Sequence, residues 1–421
     1  MSISVNISNT SQRAKVSYCL FLFLSCIFMY VNLLRDIAPQ RTNLVLGGLL
    51  IIIMFLMIRK VKEYFIVILF TIGEIITLVY CDDMFQNIDV FANALFVVEL
   101  LLIIRHSEFV DELLLAVRAI KPFIKAAIYV YPAYILLLLL LPECWTLKDV
   151  WDGTYFTVFT APQAVAANSC MYIALALFYC RAYSRNWYLM IGVILCVGVI
   201  VLSGVRVFVI SAVVLLYYSV KVYFKKKRTQ KWIGITIAAL SAAAIASSNT
   251  FQMKMDNALK MQSVSGFTFI DALTNSRTIF WRNDLVAYFT SLDPLSIIFG
   301  KGHDFVYRIN EMNAGYPFWA HNDFIQMLIG QGLVGLGIYL WLLCSFTGKL
   351  KAYLDTKIDL LLALLYLFAV PFLSGALVYP NYCLSFIYLL TFFVVGRRIS
   401  VNNASIGKGE IYNEDFSHNF G

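Results

Sequence analysis

Charge is scarce in this chain. Only 14% of its 421 residues are charged, while 61% are hydrophobic, a balance that excludes a soluble domain of ordinary size. Histidine is scarcer still, at positions 106, 303, 321 and 418. Nine cysteines are scattered, none in a CxxC pair, and most lie inside apolar runs (Cys19, Cys26, Cys170, Cys196, Cys344, Cys383). That pattern excludes a disulfide framework or a thiolate metal site and leaves small apolar packing residues, with a Cys81–Cys144 bridge as a remote alternative. The net charge of +8 does not point to nucleic acid. The positive residues cluster beside the apolar runs, as an orientation signal does. No small-residue cleavage site follows the first apolar run, so no cleavable signal peptide is expected.

What is present is a series of apolar runs from Val16 to Val395. Each has roughly the 20 residues needed to cross about 30 Å of hydrocarbon. Lipid offers no partner to backbone polar groups, so the runs should be helices. The sequence predicts an all-α polytopic membrane protein with about twelve spans, at 17–34, 43–58, 64–81, 90–104, 122–141, 163–180, 187–203, 207–222, 232–248, 320–346, 358–375 and 382–396. This divides the chain into an N-terminal set of about nine helices (1–248), a large loop (249–319), a C-terminal set of about three helices (320–398) and a polar tail (399–421). Lys and Arg concentrate in alternate connections, among them Lys225–Arg228 and Lys349–Lys351. Both termini are therefore expected in the cytoplasm and the large loop outside.

The 249–319 loop is too long for a plain connector and too rich in aromatic residues for a disordered one, with Phe280, Trp281, Tyr288, Phe318 and Trp319 among them. Apolar residues at helical spacing predict an amphipathic helix over 276–290, ended by Asp293-Pro294. Gly300-Lys301-Gly302 reads as a turn.

Several polar residues gather on the expected outer side. Arg206 sits in Leu-Ser-Gly-Val-Arg-Val between two apolar runs. It is either an interfacial arginine reaching for headgroups or an anion ligand. Arg277 and Arg282 lie five residues apart, a poor spacing for one helix face, so at most one should enter a site. Guanidinium groups match phosphate oxygens bidentately and stay charged. His321 falls where the loop becomes a span. There it is a helix-end residue, a general base, or a hydrogen-bond donor to a leaving group. Asn322 is a helix cap or a sugar ligand. Lys301, Arg308 and Tyr379 are weaker candidates, and His303-Asp304 reads as a solvated pair that could still contribute. Glu74 and Glu99, inside spans, read as packing contacts. Gly332 and Gly335 read as small residues permitting close helix approach.

The run His321-Asn322, nine residues, then Gly332-Leu333-Val334-Gly335 resembles the signature of the O-antigen polymerase and O-antigen ligase superfamily. Ser203-Gly204-Val205-Arg206 resembles its second motif, although Val205 and Val207 stand where small residues are common. Arg277, Trp281, Gly300 and Gly302 resemble a third. By motif the resemblance covers about 190–345. It implies a GT-C-like, inverting, metal-independent glycosyltransferase of the bacterial inner membrane, without a cofactor. Donor and acceptor would be undecaprenyl-pyrophosphate-linked glycans in membrane lipid, and a chain-length regulator is an implied partner. Carried over, Arg206 and Arg277 would bind pyrophosphate and His321 would be the catalytic base. Asn322, Arg282, Arg308, His303 and Tyr379 remain further substrate-binding candidates. The run Ala320-His321-Asn322-Asp323-Phe324 favours a polymerase over a ligase. A flippase is disfavoured, since no half of the chain repeats and polar residues gather at one face.

Overall fold

The computed structural model describes residues 12–34, 42–147, 154–158, 160–183, 186–224, 277–354 and 356–406, with a few single positions between 225 and 276. Helices fall on every expected span except 232–248, which lies outside the described residues. They are α1 (Gln12–Val31), α2 (Thr42–Met57), α3 (Val61–Thr77), α4 (Met84–Ile104), α5 (Phe109–Ala119), α6 (Lys121–Leu139), α7 (Pro162–Ala182), α8 (Trp187–Leu202) and α9 (Arg206–Tyr223), then, beyond the gap, α10 (Arg277–Thr290), α11 (Pro294–Phe299), α12 (Asp304–Ala314), α13 (Asp323–Lys351), α14 (Lys357–Leu373) and α15 (Pro380–Ile406). Among the described residues seven helices are long and apolar enough to cross a membrane, and the protein is membrane-embedded.

The centre of the bundle is α7. Its residues from Ala164 to Cys180 are buried on every side, as a helix apolar all round must be. It packs chiefly against α15 and also against α8 and α9. Alanines at 164, 166, 167, 174 and 176 keep its surface narrow. Outside the large loop, a helix and a hairpin are absent from the sequence expectation. One is α5, too short to cross, which buries Phe109, Val110, Leu113, Ala116 and Val117 against α1. The other is a small hairpin in which β1 (Trp145–Leu147) pairs antiparallel with β2 (Thr154–Phe156), so that Trp145 opposes Phe156.

The part of the large loop that is described folds as predicted around α10, and adds α11 and α12. The sharpest departure concerns the glycines. α13 is broken at Gly332, where φ is +62° and ψ is −159°. The freed carbonyls of Ile329 and Gly330 accept from the backbone N–H groups of Lys301 (2.7 Å) and Gly302 (3.1 Å). A Cβ on Gly300 would lie 2.4 Å from the Gly330 carbonyl oxygen, and one on Gly332 would lie 2.5 Å from the Gly300 nitrogen. The Gly300–Gly302 turn is thus wedged into a broken membrane helix. Gly332 supplies a left-handed backbone there, and it also permits the close helix approach expected of it, since a Cβ would lie 2.5 Å from the Ile298 carbonyl of α11. Non-helical backbone is tolerated at this depth because protein covers it.

Candidate functional site

Four stretches of chain converge at one end of the bundle: the start of α9, the start of α10, the loop entering α13 and the turn between α14 and α15. Arg277 opens α10, and its Nη1 donates to the Leu373 carbonyl at the end of α14. One turn later Trp281 Nε1 donates to the Ala320 carbonyl, at 2.6 Å. The four-residue spacing puts both on one helix face, so α10 grips the backbone on either side of the site. Arg206, the first residue of α9, is near enough for its charge to act on Arg277. Burial and that charge hold the Arg277 guanidinium below the usual arginine value, partly offset by Tyr379.

Aromatic rings connect the rest. Phe208 meets Tyr379 edge-on at 5.9 Å, Tyr379 meets Trp319 at 5.4 Å, and Trp319 meets His321 at 5.1 Å. Trp319 Nε1 donates a hydrogen bond to His321 Nδ1 at 2.5 Å. That bond fixes the neutral ring as the tautomer protonated at Nε2, because two N–H groups cannot face each other. His321 itself has φ of +53°, a left-handed backbone that is uncommon for a residue with a Cβ.

The neighbours of His321 hold this geometry. Asn322 caps α13, its Oδ1 accepting from Phe324 N (3.0 Å) and Ile325 N (3.2 Å). Buried Asp323 accepts from Ala376 N (2.9 Å), Leu377 N (3.1 Å) and the Tyr339 hydroxyl (3.0 Å). It thereby fixes the turn that delivers Tyr379. Gln326 accepts from Ala320 N at 3.2 Å and donates to the His303 carbonyl at 3.2 Å.

Of the expected site residues, the structure brings Arg206, Arg277, His321, Asn322 and Tyr379 together. Three others lie elsewhere. Arg282 is exposed on another face of α10, as its five-residue offset from Arg277 requires. Arg308 is engaged by Asp82, by Asp304 at 3.3 Å and by the Tyr80 carbonyl at 2.9 Å, so it ties α12 to the α3–α4 turn. His303 and Asp304 are not a solvated pair: both are fully buried. His303 packs on Gly330. Its backbone N–H donates to Asn87 Oδ1 at 2.5 Å, and its Nε2 lies 3.9 Å from Glu74. Burial lowers its pKa to about 3. Glu74 accepts from Asn87 Nδ2 at 2.6 Å and from Gln331, which is the packing role expected of it. All nine cysteines are free, Cys81 and Cys144 among them.

The bond from Trp319 to His321, and the parts played by Asp323 and Gln326, escaped the sequence reading. The available signals were an indole two residues before His321 and an acid at the first position of an apolar helix. Asp284 also escaped it. It is fully buried on α10, and burial pushes its pKa up to about 7, partly offset by Asn310.

The class defined by the fold is a many-helix membrane protein, with two arginines and a histidine gathered at one end of the bundle. Residues 191–340 match the O-Antigen ligase family model (Wzy_C), and this supports placing the protein in the O-antigen polymerase and ligase superfamily. The matched stretch contains Arg206, Arg277 and His321. No curated protein matches the chain.

Proposed function

We propose that the protein is a glycosyltransferase that polymerises undecaprenyl-pyrophosphate-linked oligosaccharide repeat units. The observation that carries this reading is the convergence of Arg206 and Arg277 with His321. A lipid-linked donor presents a diphosphate at the membrane surface, and two guanidinium groups suit it without a metal ion. The acceptor hydroxyl oxygen attacks the anomeric carbon, the bond from that carbon to the diphosphate oxygen breaks, and undecaprenyl pyrophosphate leaves. One displacement inverts the anomeric centre. Negative charge grows on the diphosphate as it departs, so cations already fixed in place stabilise the transition state more than the ground state.

Two roles are open to His321. As a base it must offer a lone pair to the acceptor hydroxyl, but Nδ1 already receives the Trp319 N–H. The tautomer so fixed favours the second role, in which Nε2–H donates to the leaving diphosphate. The hydroxyl proton is then lost to water late in the displacement.

The printed description of the matched family favours a second reading, transfer of the glycan to lipid A–core by a ligase. The polysaccharide ladder of a strain deleted for the gene separates the two. Single repeat units on lipid A–core mean that polymerisation is lost while ligation survives, the result expected here. Polymer held on undecaprenyl pyrophosphate beside bare core means a ligase. Repeat units trapped on the cytoplasmic side mean a flippase and overturn both. The reading further expects the bacterial inner membrane, cytoplasmic termini and a periplasmic site.

A further inference from the structure

The chain between α10 and α12 enters the bundle and leaves it on the same side. Asp293, before α11, accepts from the Tyr80 hydroxyl at 2.6 Å, and Asp304, opening α12, accepts from the backbone N–H groups of Asp82 (3.0 Å) and Asp83 (3.3 Å). Both ends of the segment are therefore tied to the turn between α3 and α4. Its middle lies deeper. A Cβ on Gly73 would meet the Phe299 ring at 3.6 Å. Gly73 precedes Tyr80 by seven residues, about 10 Å along α3 at 1.5 Å rise per residue. α13 supplies a second ruler. Lys301 N donates to the Ile329 carbonyl, and Ile329 stands about 9 Å along α13 from its first residue, Asp323.

The composition of this limb suits an apolar surround. Residues 294–300 carry no charge. Their one polar side chain, Ser296, is buried, its Oγ accepting from the Asp293 N–H at 2.9 Å, while the Tyr288 hydroxyl donates to the Ser296 carbonyl at 2.8 Å. Lys301, at the deep end, turns back. Its Nζ donates to the Ser291 carbonyl, just before the limb begins, and lies 5.7 Å over the Tyr80 ring, as a lysine does when it returns its charge to an interface. The opposite face is apolar: Leu295, Ile297 and Ile298 are exposed. α11 packs on α3 and α13, and α3 exposes Ile68, Ile72, Ile75 and Val79, at the spacing of a single helix face.

We propose that residues 293–304 form a re-entrant limb whose outer face, Leu295, Ile297 and Ile298, lies against the acyl chains of the bilayer. The headgroup layer on each side of a membrane is only about 5–8 Å thick, so a limb that reaches about 10 Å from the helix ends meets hydrocarbon. The lipid-facing stripe of α3 continues into this face, and the same occupant covers both. Backbone that is not helical is allowed at such depth only where protein covers it. The Gly300–Gly302 turn meets that condition, because it faces inward onto the Ile329 and Gly330 carbonyls. The inference does not depend on the reaction proposed at His321.

The test places a benzophenone amino acid at single positions of the full-length protein in phosphatidylglycerol nanodiscs and reads adducts by mass spectrometry after irradiation. Ile72 on α3 is the lipid-facing reference, and Glu143, an exposed acid beyond α6, is the aqueous one. Position 298 is expected to gain the mass of one phospholipid, in a yield within a few-fold of position 72, with no lipid adduct at 143. A lipid adduct at 72 and none at 298 overturns the proposal. An adduct at 298 to a second copy of the chain assigns the face to a protein partner and overturns it as well. A second measurement avoids the bulky side chain. Ile298→Cys should resist a membrane-impermeant maleimide that labels Glu143→Cys, with the labelled sites told from native cysteines by peptide mass spectrometry. Labelling of Ile298→Cys as readily as Glu143→Cys would put the face in water and contradict the assignment.

Discussion

His303 and His321 lie eighteen residues apart, each just before a helix, and the fold puts them to opposite uses. His303 is fully buried, held neutral at the break in α13 and enclosed by Asn87, Gln326, Gly330 and Glu74. His321 stands at the bundle end in a left-handed backbone, its Nδ1 held by an indole and two arginines close by. His303 ties the first half of the broken helix to α3 and α4, while His321 lies among the rings of Phe318 and Trp319 at the bundle end. A histidine's role here follows from what fixes its ring, and residue type alone gives no hint of it.

The comparison can be broken from either side. Removing His303 should act on folding and leave chemistry alone. His303→Ala empties a packed polar site and should cost about 2 kcal/mol or more, seen as a lowered thermal midpoint, while protein that remains folded keeps its rate of polymer formation. A stable His303→Ala protein with no activity would put His303 in the chemistry. At the other end, Arg277→Lys keeps the charge and loses the planar fork. Polymer formation should fall about tenfold, the worth of a charge-assisted hydrogen bond, and wild-type rates would reduce Arg277 to a clamp on Leu373.

A smaller effect sharpens the assignment at His321. Trp319→Phe keeps a ring and deletes the N–H donor, so the rate should fall only a few-fold, on the scale of a ~1 kcal/mol hydrogen bond. With four histidines in the chain, ¹⁵N-histidine spectra can follow His321 directly. The account expects a proton on Nε2 in the wild type and a mixture of tautomers in Trp319→Phe. A wild-type ring protonated at Nδ1 would restore the general-base role.

A pH-dependent effect on stability, separate from the chemistry, belongs to Asp284. Burial raises its folded pKa from 3.8 to about 7. Between those values the folded state binds more protons than the unfolded one, so this carboxyl's contribution to stability is full below about pH 4 and is lost as pH rises towards 7. Asp284→Asn should flatten that slope in thermal scans from pH 4 to 7. An unchanged slope would mean that the carboxyl is solvated.

Much of the helical framework was legible because membrane length and hydropathy are local properties. The α10 helix was legible from its spacing, and Arg277 could be separated from Arg282 by arithmetic on the helix turn. The break in α13 was not, since Gly332 and Gly335 have the same spacing whether they pack two helices or interrupt one. What decides is Gly300-Lys301-Gly302, far off in sequence. His303 looked solvated because Gly302 and Asp304 flank it, while the residues that bury it come from α3, α4 and α13. Charged residues on α5 hid its apolar face, and the Trp145–Phe156 hairpin is too short to register as alternation. Trp319 was visible as an interfacial aromatic, but its bond to His321 depends on a backbone conformation that no pattern encodes.

The most direct test is transfer by the purified protein, supplied with undecaprenyl-pyrophosphate-linked repeat units and followed by gel or mass spectrometry, for wild type and His321→Ala. The account predicts polymer from wild type and a loss of about 10²- to 10³-fold in the variant, the usual worth of one fixed hydrogen-bond donor to a developing anion, with an unchanged thermal midpoint. Full-length polymer from His321→Ala at the wild-type rate would contradict it.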